Sequence, residues 1–261
     1  MAEQDVPPAN TPPPAPPSPP DPQAPPAPQS KFRAPAGATD AEKVKDQLSR
    51  QAGITQPRAG GDGTLFTEPI LVVNQKAKLI ELTNEYDVFD QNGNQIGAVM
   101  EIGQSQLKKA VRMFSRLDQY LTHRLEIRDA NGKAVLGLTR PAKIMKSKFV
   151  ITDGDGAEIG TIHQKNVMGK KRFALAAGGN DLATIHAKNW RAWDFHIEDV
   201  DGNEVALITK TFEGFGKAIF TTADNYAIEF TAPVAEPLRS LIVTAGLCID
   251  TALKQDAQGL S

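Results

Sequence analysis

A hairpin-like unit that occurs five times between residues 86 and 208 limits the possible folds of this 261-residue chain. Each copy has alternating apolar residues, a polar turn that ends in glycine, and a second apolar stretch. Alternation with period two is typical of strands, and Asp-Gly or Asn-Gly pairs tolerate the positive φ of tight hairpins. The first halves of the units are residues 86–93, 125–132, 149–156, 173–179 and 195–202. The sequence therefore predicts a mainly β protein made of successive hairpins.

The number of strands predicts a closed sheet. Apolar runs at Ile70–Val73, Leu79–Leu82, Ala218–Phe220 and Tyr226–Phe230 raise the expected total to about twelve to fourteen strands. An open meander of that size curls and leaves two exposed edges, and closure into a barrel removes both edges. We therefore expect an antiparallel barrel.

The last apolar segment of the chain predicts a helix inside this barrel. Pro237 suits a first helical turn, and the chain is apolar on nearly all sides from Leu241 to Ile249. A membrane span needs about twenty such residues, whereas a barrel of about twelve strands has a lumen too wide for strand side chains alone. We expect a central hydrophobic helix over 237–254, within a barrel domain over 63–256.

Residues 1–62 are expected to form a separate, disordered arm. Fourteen of the 19 prolines lie in residues 1–35, where they favour a solvated polyproline-II segment without a core. Two interpretations stay open: a semi-rigid spacer, or a PxxP ligand for an SH3-type or WW-type groove on a protein partner. A short helix at 40–52 is expected to carry Val44 and Leu48 on one face, and Gly60–Gly63 reads as a flexible joint.

Basic residues are concentrated in the middle of the chain. Residues 104–172 contain 15 Lys and Arg against 6 Asp and Glu, although the whole chain has a net charge of −2. Residues 106–117 form a basic amphipathic pattern of the kind that lies on anionic bilayers; a solvated connection or a long strand is the alternative. The predicted lipid-binding patch consists of Lys108, Lys109, Arg112, Arg116, Lys143, Lys146, Lys148, Lys170, Lys171 and Arg172.

The sequence lacks the patterns of common catalytic sites. It contains no GxSxG, HExxH or P-loop motif, and its lone Cys248 excludes a cysteine-based zinc cluster. The Asp-x-x-Gly turns differ from an EF-hand loop, in which glycine is sixth and a glutamate twelfth. We expect no hydrolytic or redox enzyme, no catalytic residues and no certain cofactor. Because residues 1–5 have neither a basic nor an apolar signal region, we expect an intracellular protein.

Two C-terminal segments resemble the phospholipid scramblase family. Residues 220–230, Phe-Thr-Thr-Ala-Asp-Asn-Tyr-Ala-Ile-Glu-Phe, and residues 241–250, Leu-Ile-Val-Thr-Ala-Gly-Leu-Cys-Ile-Asp, are similar to the C-terminal signature of that family. Residues 70–75, 82–93 and 125–129 are similar to family segments in the same order. The resemblance covers about residues 64–254. It implies the fold shared with tubby C-terminal and LURP-one-related domains, a twelve-stranded barrel around a central hydrophobic helix.

The chain departs from the family pattern at two functional features. Where family members carry a calcium loop with acidic first, third and twelfth positions, this chain has Thr222, Asp224 and Pro233. We therefore expect no calcium there, with Asp224, Asn225 and Glu229 as the remaining oxygen donors if an ion did bind. The family's palmitoylated cysteine cluster also has no counterpart, because the matching residues 140–148 contain no cysteine.

These observations give one leading hypothesis and one alternative. The leading hypothesis is a scramblase-related protein that binds anionic phospholipid, is peripherally associated with the inner face of the plasma membrane from the cytoplasm, and moves phospholipid between leaflets. The alternative is a non-enzymatic adaptor or ligand-binding barrel whose Pro-rich arm recruits protein partners. Nucleic acid is not an expected partner, because the net charge is close to zero.

Overall fold

The computed structural model describes residues 40–75, 84–102, 123–141, 148–166, 172–189, 194–211 and 225–259, and these contain a closed antiparallel barrel of twelve strands. Strands adjacent in the chain pair around the whole barrel, and β1 closes it by pairing with β12 through Val73 and Tyr226. The closed twelve-stranded barrel is thus confirmed. The strands are β1 (Ile70–Gln75), β2 (Asn84–Phe89), β3 (Gln95–Glu101), β4 (His123–Asp129), β5 (Ala134–Arg140), β6 (Lys148–Asp153), β7 (Glu158–Gln164), β8 (Arg172–Ala177), β9 (Asn180–Asn189), β10 (Asp194–Asp199), β11 (Glu204–Thr211) and β12 (Asn225–Phe230).

The barrel has two different ends, which follow from its up-and-down order. The tight turns β2–β3, β4–β5, β6–β7, β8–β9 and β10–β11 all lie at one end, which we call the turn end. Strand β1 begins and strand β12 ends there too, because Ile70 pairs with Glu229. The opposite end, the loop end, holds the strand ends that are joined by residues 76–83, 103–122, 142–147, 167–171, 190–193 and 212–224. All six of these connections lie outside the described residues.

Four of the five turns share one geometry, and this geometry explains the repeat in the sequence. The Oδ1 atoms of Asp90, Asp129, Asp153 and Asp199 each accept hydrogen bonds from the backbone N–H groups two and four residues later, at 2.8–3.0 Å. The glycine at the third position after each aspartate has φ between +81° and +92°. The aspartates therefore cap the turn backbone, and the glycines supply its left-handed residue.

A C-terminal helix, α2 (Leu238–Gly259), occupies the barrel as the sequence predicts. It packs against β6, β7, β8 and β12. Its Leu241, Ile242 and Cys248 belong to the same buried apolar cluster as Phe149 and Phe173 of the strands. The alternate, inward-facing strand residues thus form the core together with the helix, and this confirms a central helix.

The segment before the barrel lies against its outer wall. Helix α1 (Asp40–Asp46) continues as a π-helical turn, Gln47–Gln51. Val44 and Leu48 form a second apolar cluster with the outward-facing Val72 and Ala227, and the helical segment covers the seam where β1 meets β12. Residues 1–39 lie outside the described residues, and the division of the chain near residue 62 stays a prediction.

The glycine-rich residues 60–63 are held against Thr67 and Glu68, just before β1, unlike the flexible joint expected from the sequence. The Gly63 N–H donates to Glu68 Oε1 at 2.8 Å, and the Asp62 N–H donates to Thr67 Oγ1 at 3.2 Å. Gly63 has φ +83°, a conformation that lets its N–H reach the Glu68 carboxylate. Composition favours flexibility for this segment, but hydrogen bonds to residues five positions later fix its conformation.

Candidate membrane-facing site

The described part of the predicted basic patch lies at the loop end of the barrel. Lys148 begins β6 and Arg172 begins β8, and both side chains are exposed. The remaining eight members of the patch, Lys108, Lys109, Arg112, Arg116, Lys143, Lys146, Lys170 and Lys171, lie outside the described residues. They belong to connections β3–β4, β5–β6 and β7–β8, which join strand ends at three successive positions of the loop end.

Two further basic residues of the strands differ in what they offer a ligand. Arg124, the second residue of β4, pairs with Thr139 of β5 and is exposed at the loop end. It could have been found from the sequence as a basic residue at an outward position directly after a basic connection. Arg140 belongs to the same basic stretch, but it is only 2% exposed. Leu138, two residues earlier on the same strand, faces the core. Arg140 therefore also points inward and does not extend the exposed patch.

The turn end carries the opposite charge. Its five turns, with the residues that flank them, contain a single basic residue, Lys133. The pKa of Asp199 is lowered by hydrogen bonds from the Asn203 backbone and side chain, so this carboxylate stays ionised at neutral pH. The acidic residues at these turns are Asp90, Asp129, Asp153, Asp155, Glu158, Asp199, Asp201 and Glu204. Asp181, the second residue of β9, pairs with Lys165 at 2.7 Å.

The structure separates the residues expected to remain from a calcium loop. Asn225 and Glu229 lie on the outer face of β12, four residues and therefore about 13 Å apart along the strand. The Asn225 Oδ1 accepts from the Gln75 N–H at 2.9 Å, and Glu229 Oε1 accepts from Arg58 Nε at 2.8 Å. Asp224 lies outside the described residues, and among the described ones no group of three or more His, Cys, Asp or Glu could hold a metal ion. A calcium ion at this strand would have to displace both contacts.

A small cavity lies inside the described part of the barrel. A cavity of about 10 Å³, the space of one water molecule, lies between α2 and strands β1 to β4 and β12. Its lining is apolar apart from Tyr226, and Gly246 of α2 forms one wall. Cys248, two residues after Gly246, is fully buried, and desolvation raises its pKa well above the usual value of 9.0. This thiol is therefore a core residue and not an exposed acylation site.

Comparison with known proteins identifies the family of the chain. The scramblase family model matches residues 59–253, which include the whole barrel and most of α2. The chain belongs to the scramblase family. This membership supports a scramblase-related function.

Two curated relatives are similar to the chain at low identity. A phospholipid scramblase family protein of Schizosaccharomyces pombe is 23% identical over 189 residues, which cover 66% of this chain and 48% of the relative. Altered inheritance rate of mitochondria protein 25 of Saccharomyces cerevisiae is 24% identical over 197 residues, which cover 64% of this chain and 60% of the relative. The chain thus spans about half to three fifths of the length of these relatives. No solved structure matches the chain.

Among residues 40–51 and 238–259, which form the helices that the structure describes, no helix combines the length and hydropathy that a bilayer crossing requires.

Proposed function

We propose that this scramblase-family barrel binds anionic phospholipid through the basic patch at its loop end, at the inner face of the plasma membrane, and moves phospholipid between leaflets. The observation that carries the proposal is topological. The basic residues, which are scattered between positions 108 and 172 in the chain, belong to or flank three successive connections at one end of the barrel.

The binding free energy expected for each basic residue indicates that several of them must act together. Each Lys or Arg close to an anionic membrane contributes about 1 kcal/mol, so one residue binds weakly and a group of four to eight binds well. Lys148 and Arg172 are exposed and lie at the first residues of β6 and β8, where the two basic connections before them end. Because exposed charges are screened by salt, binding of this kind should weaken as the ionic strength rises.

Flotation with liposomes tests the binding. The purified chain is mixed with vesicles of phosphatidylcholine alone, or with added phosphatidylserine, across a salt series. We expect flotation only with the anionic vesicles and a progressive loss at higher salt. Flotation with both vesicle types that does not respond to salt would contradict a charge-based contact, and no flotation at all would contradict lipid binding.

A separate assay tests the movement of lipid. Vesicles reconstituted with the protein carry a fluorescent phospholipid, and a membrane-impermeant reductant reports the fraction in the outer leaflet over time. We expect transfer to the outer leaflet in the presence of the protein, equally with calcium and with a chelator. If the protein floats but transfers no lipid under either condition, the binding part of the proposal stands and the translocation part fails.

A second candidate function is an adaptor, favoured by the position of helix α1. Val44 and Leu48 fix this helix on the barrel wall, so residues 1–39 precede an element that is held firmly against the domain. The deletion that tests this function must end before Asp40, because a longer one would also expose the apolar seam. An adaptor without residues 1–38 should lose its protein partners, whereas a lipid-binding activity of the barrel should survive.

A further inference from the structure

We propose that the barrel docks on anionic membranes end-on, with its loop end against the bilayer, so that the chain before Asp40 leaves on the side that faces away from the membrane. This inference rests on the proposed lipid binding and adds to it an orientation and a position for the N-terminal arm. It uses two features of the described residues: the separation of charge between the two ends, and the place at which α1 begins.

The charges of the two ends favour one orientation over the other. At the loop end the described strand starts present Arg124, Lys148 and Arg172, all exposed. At the turn end, the acidic residues of the turns outnumber the basic residues Lys133, Lys43, Arg58 and Arg239, of which Arg58 pairs with Glu229, and four of the turn aspartates are fixed by backbone N–H donors. An anionic surface attracts the first end and repels the second.

The two ends of the barrel are far enough apart for a membrane to act on one end and not on the other in physiological salt. Strands of six or seven residues, such as β6 and β7, extend about 20 Å, which is about 15 Å along the axis of a barrel with tilted strands. The Debye length at physiological ionic strength is about 8 Å, so the end in contact with the membrane feels the surface potential while the other end is largely screened. A side-on barrel would bring both ends equally near the surface, and the acidic turns would then oppose binding.

The beginning of α1 places the arm relative to this orientation. Gly93 lies in the β2–β3 turn at the turn end, and a Cβ added to it would overlap the backbone of Ala41. Helix α1 therefore starts at the turn end, and it runs along the wall toward the loop end, where Gln47 contacts Asn74, the last but one residue of β1. The chain then returns to the turn end, where the Arg58 N–H donates to Gln91 Oε1 at 2.9 Å.

This orientation allows lipid binding and partner binding to occur at opposite ends of the barrel. With the loop end on the membrane, Asp40 lies on the opposite side of the barrel, about 15 Å or more from the lipid surface. A protein partner bound close to Asp40 would then lie on the side of the barrel away from the bilayer, and it would not compete with lipid for the same face of the barrel.

Fluorophores at the two ends test the orientation directly. Pro141 is exposed at the loop end, Val200 is 71% exposed at the tip of the β10–β11 turn, and Lys43 is the exposed fourth residue of α1. Each is replaced singly by cysteine and labelled, since the buried Cys248 reacts slowly in the native protein. On phosphatidylserine vesicles that contain a quencher lipid, we expect quenching at P141C and little at V200C or K43C. Equal quenching at all three sites, or more at V200C, would overturn end-on docking by the loop end.

A matched pair of charge reversals gives an independent test. Lys148→Glu changes an exposed lysine at the loop end, and Lys133→Glu changes an exposed lysine at the turn end. We expect the first variant to bind phosphatidylserine vesicles about tenfold more weakly, and the second to bind like the unchanged chain. Equal loss in both variants would overturn the orientation, because it would show that only net charge matters.

The two proposals can fail separately. If the unchanged chain does not float with anionic vesicles, the proposed function fails and the orientation fails with it. If it floats but the labels or the charge reversals do not distinguish the ends, lipid binding stands and the orientation alone is wrong. Melting temperatures of all variants, measured without lipid, identify any variant that loses binding because it unfolds.

Discussion

Gln47 and Asn74 join the N-terminal helical segment to the barrel wall through a reciprocal pair of buried amide hydrogen bonds. Gln47 Nε2 donates to Asn74 Oδ1 at 3.0 Å, and Asn74 Nδ2 donates to Gln47 Oε1 at 3.3 Å. Asn74 is the residue of β1 that pairs with Asn225 of β12, so this contact lies on the seam that closes the barrel. The apolar contacts of Val44 and Leu48 bury the same seam.

Loss of one partner of this pair should destabilise the fold. Gln47→Leu leaves the Asn74 amide buried without its partner, and we expect a loss of about 1–3 kcal/mol in the free energy of unfolding by denaturant. The double variant Gln47→Leu/Asn74→Leu should recover part of this loss, because neither amide is then left unsatisfied. Lys45→Gln, at an exposed position of α1, is the control and should change little. Equal stabilities of Gln47→Leu and the control would show that the helix does not rest on the seam.

Two glycines of the core should respond in opposite directions to the same substitution. A Cβ at Gly246 would meet only Ile228 Cδ1 at 3.7 Å, and it would lie beside the small interior cavity. Gly246→Ala should therefore raise the free energy of unfolding by about 0.5–1 kcal/mol, since it also favours the helix. At Gly97 the Cβ would lie 2.7 Å from the Arg128 carbonyl oxygen, so Gly97→Ala should destabilise the barrel. Destabilisation by Gly246→Ala would contradict the described packing of α2.

The turn glycines should tolerate asparagine better than alanine. Gly132 has φ +81°, and a Cβ there would meet no atom within 4 Å, so the cost of a side chain is conformational and not steric crowding. Gly132→Ala should cost about 1–2 kcal/mol, and Gly132→Asn less, because asparagine adopts the left-handed region more readily. Thermal unfolding of the two variants measures the difference. An alanine variant as stable as the unchanged chain would contradict the left-handed turn.

Glu68 should make the protein less stable as the pH rises above the acidic range. Desolvation raises the pKa of this carboxyl above its usual value of 4.5. The folded state therefore binds more protons than the unfolded state between pH 4.5 and the raised pKa, so stability falls as the pH increases through that interval. Glu68→Gln, which can still accept from the Gly63 N–H, should remove this contribution and should be the more stable form at neutral pH.

The measurement is the denaturation midpoint of both proteins across pH 4 to 8, a range set by the direction of the shift. We expect the two curves to separate progressively as the pH rises through the interval and to stay apart above it. Asp62→Asn is a useful contrast, because hydrogen bonds from Thr67 and Thr64 lower the pKa of Asp62. Its contribution should be lost as the pH falls through that lowered pKa. Parallel curves for Glu68→Gln and the unchanged chain would contradict the raised pKa.

Local patterns in the sequence determined the strands, the turns and the interior helix. The Asp-x-x-Gly spacing fixed the turns because one aspartate accepts from two backbone N–H groups and one glycine takes the left-handed conformation, all within five residues. The period-two alternation predicted which side chains face inward, and the length and hydropathy of the segment around Leu241–Ile249 predicted its burial. Each of these features depends on neighbours in the chain, and for that reason it could be derived without a structure.

Contacts between residues far apart in the chain decided everything else. Only strand pairing shows that β1 and β12 meet, so only the structure shows that α1 covers a seam and that Arg58 reaches Glu229. The sequence predicted ten lipid-binding residues but could not say whether they share a face, because a face is a property of register around the closed barrel. The order of the strands decides that the flanking positions of Lys148 and Arg172 lie at one end and the acidic turns at the other. The number of charges in a segment can be counted in the sequence, whereas the separation of basic and acidic residues between the two ends of the barrel is a consequence of the tertiary fold.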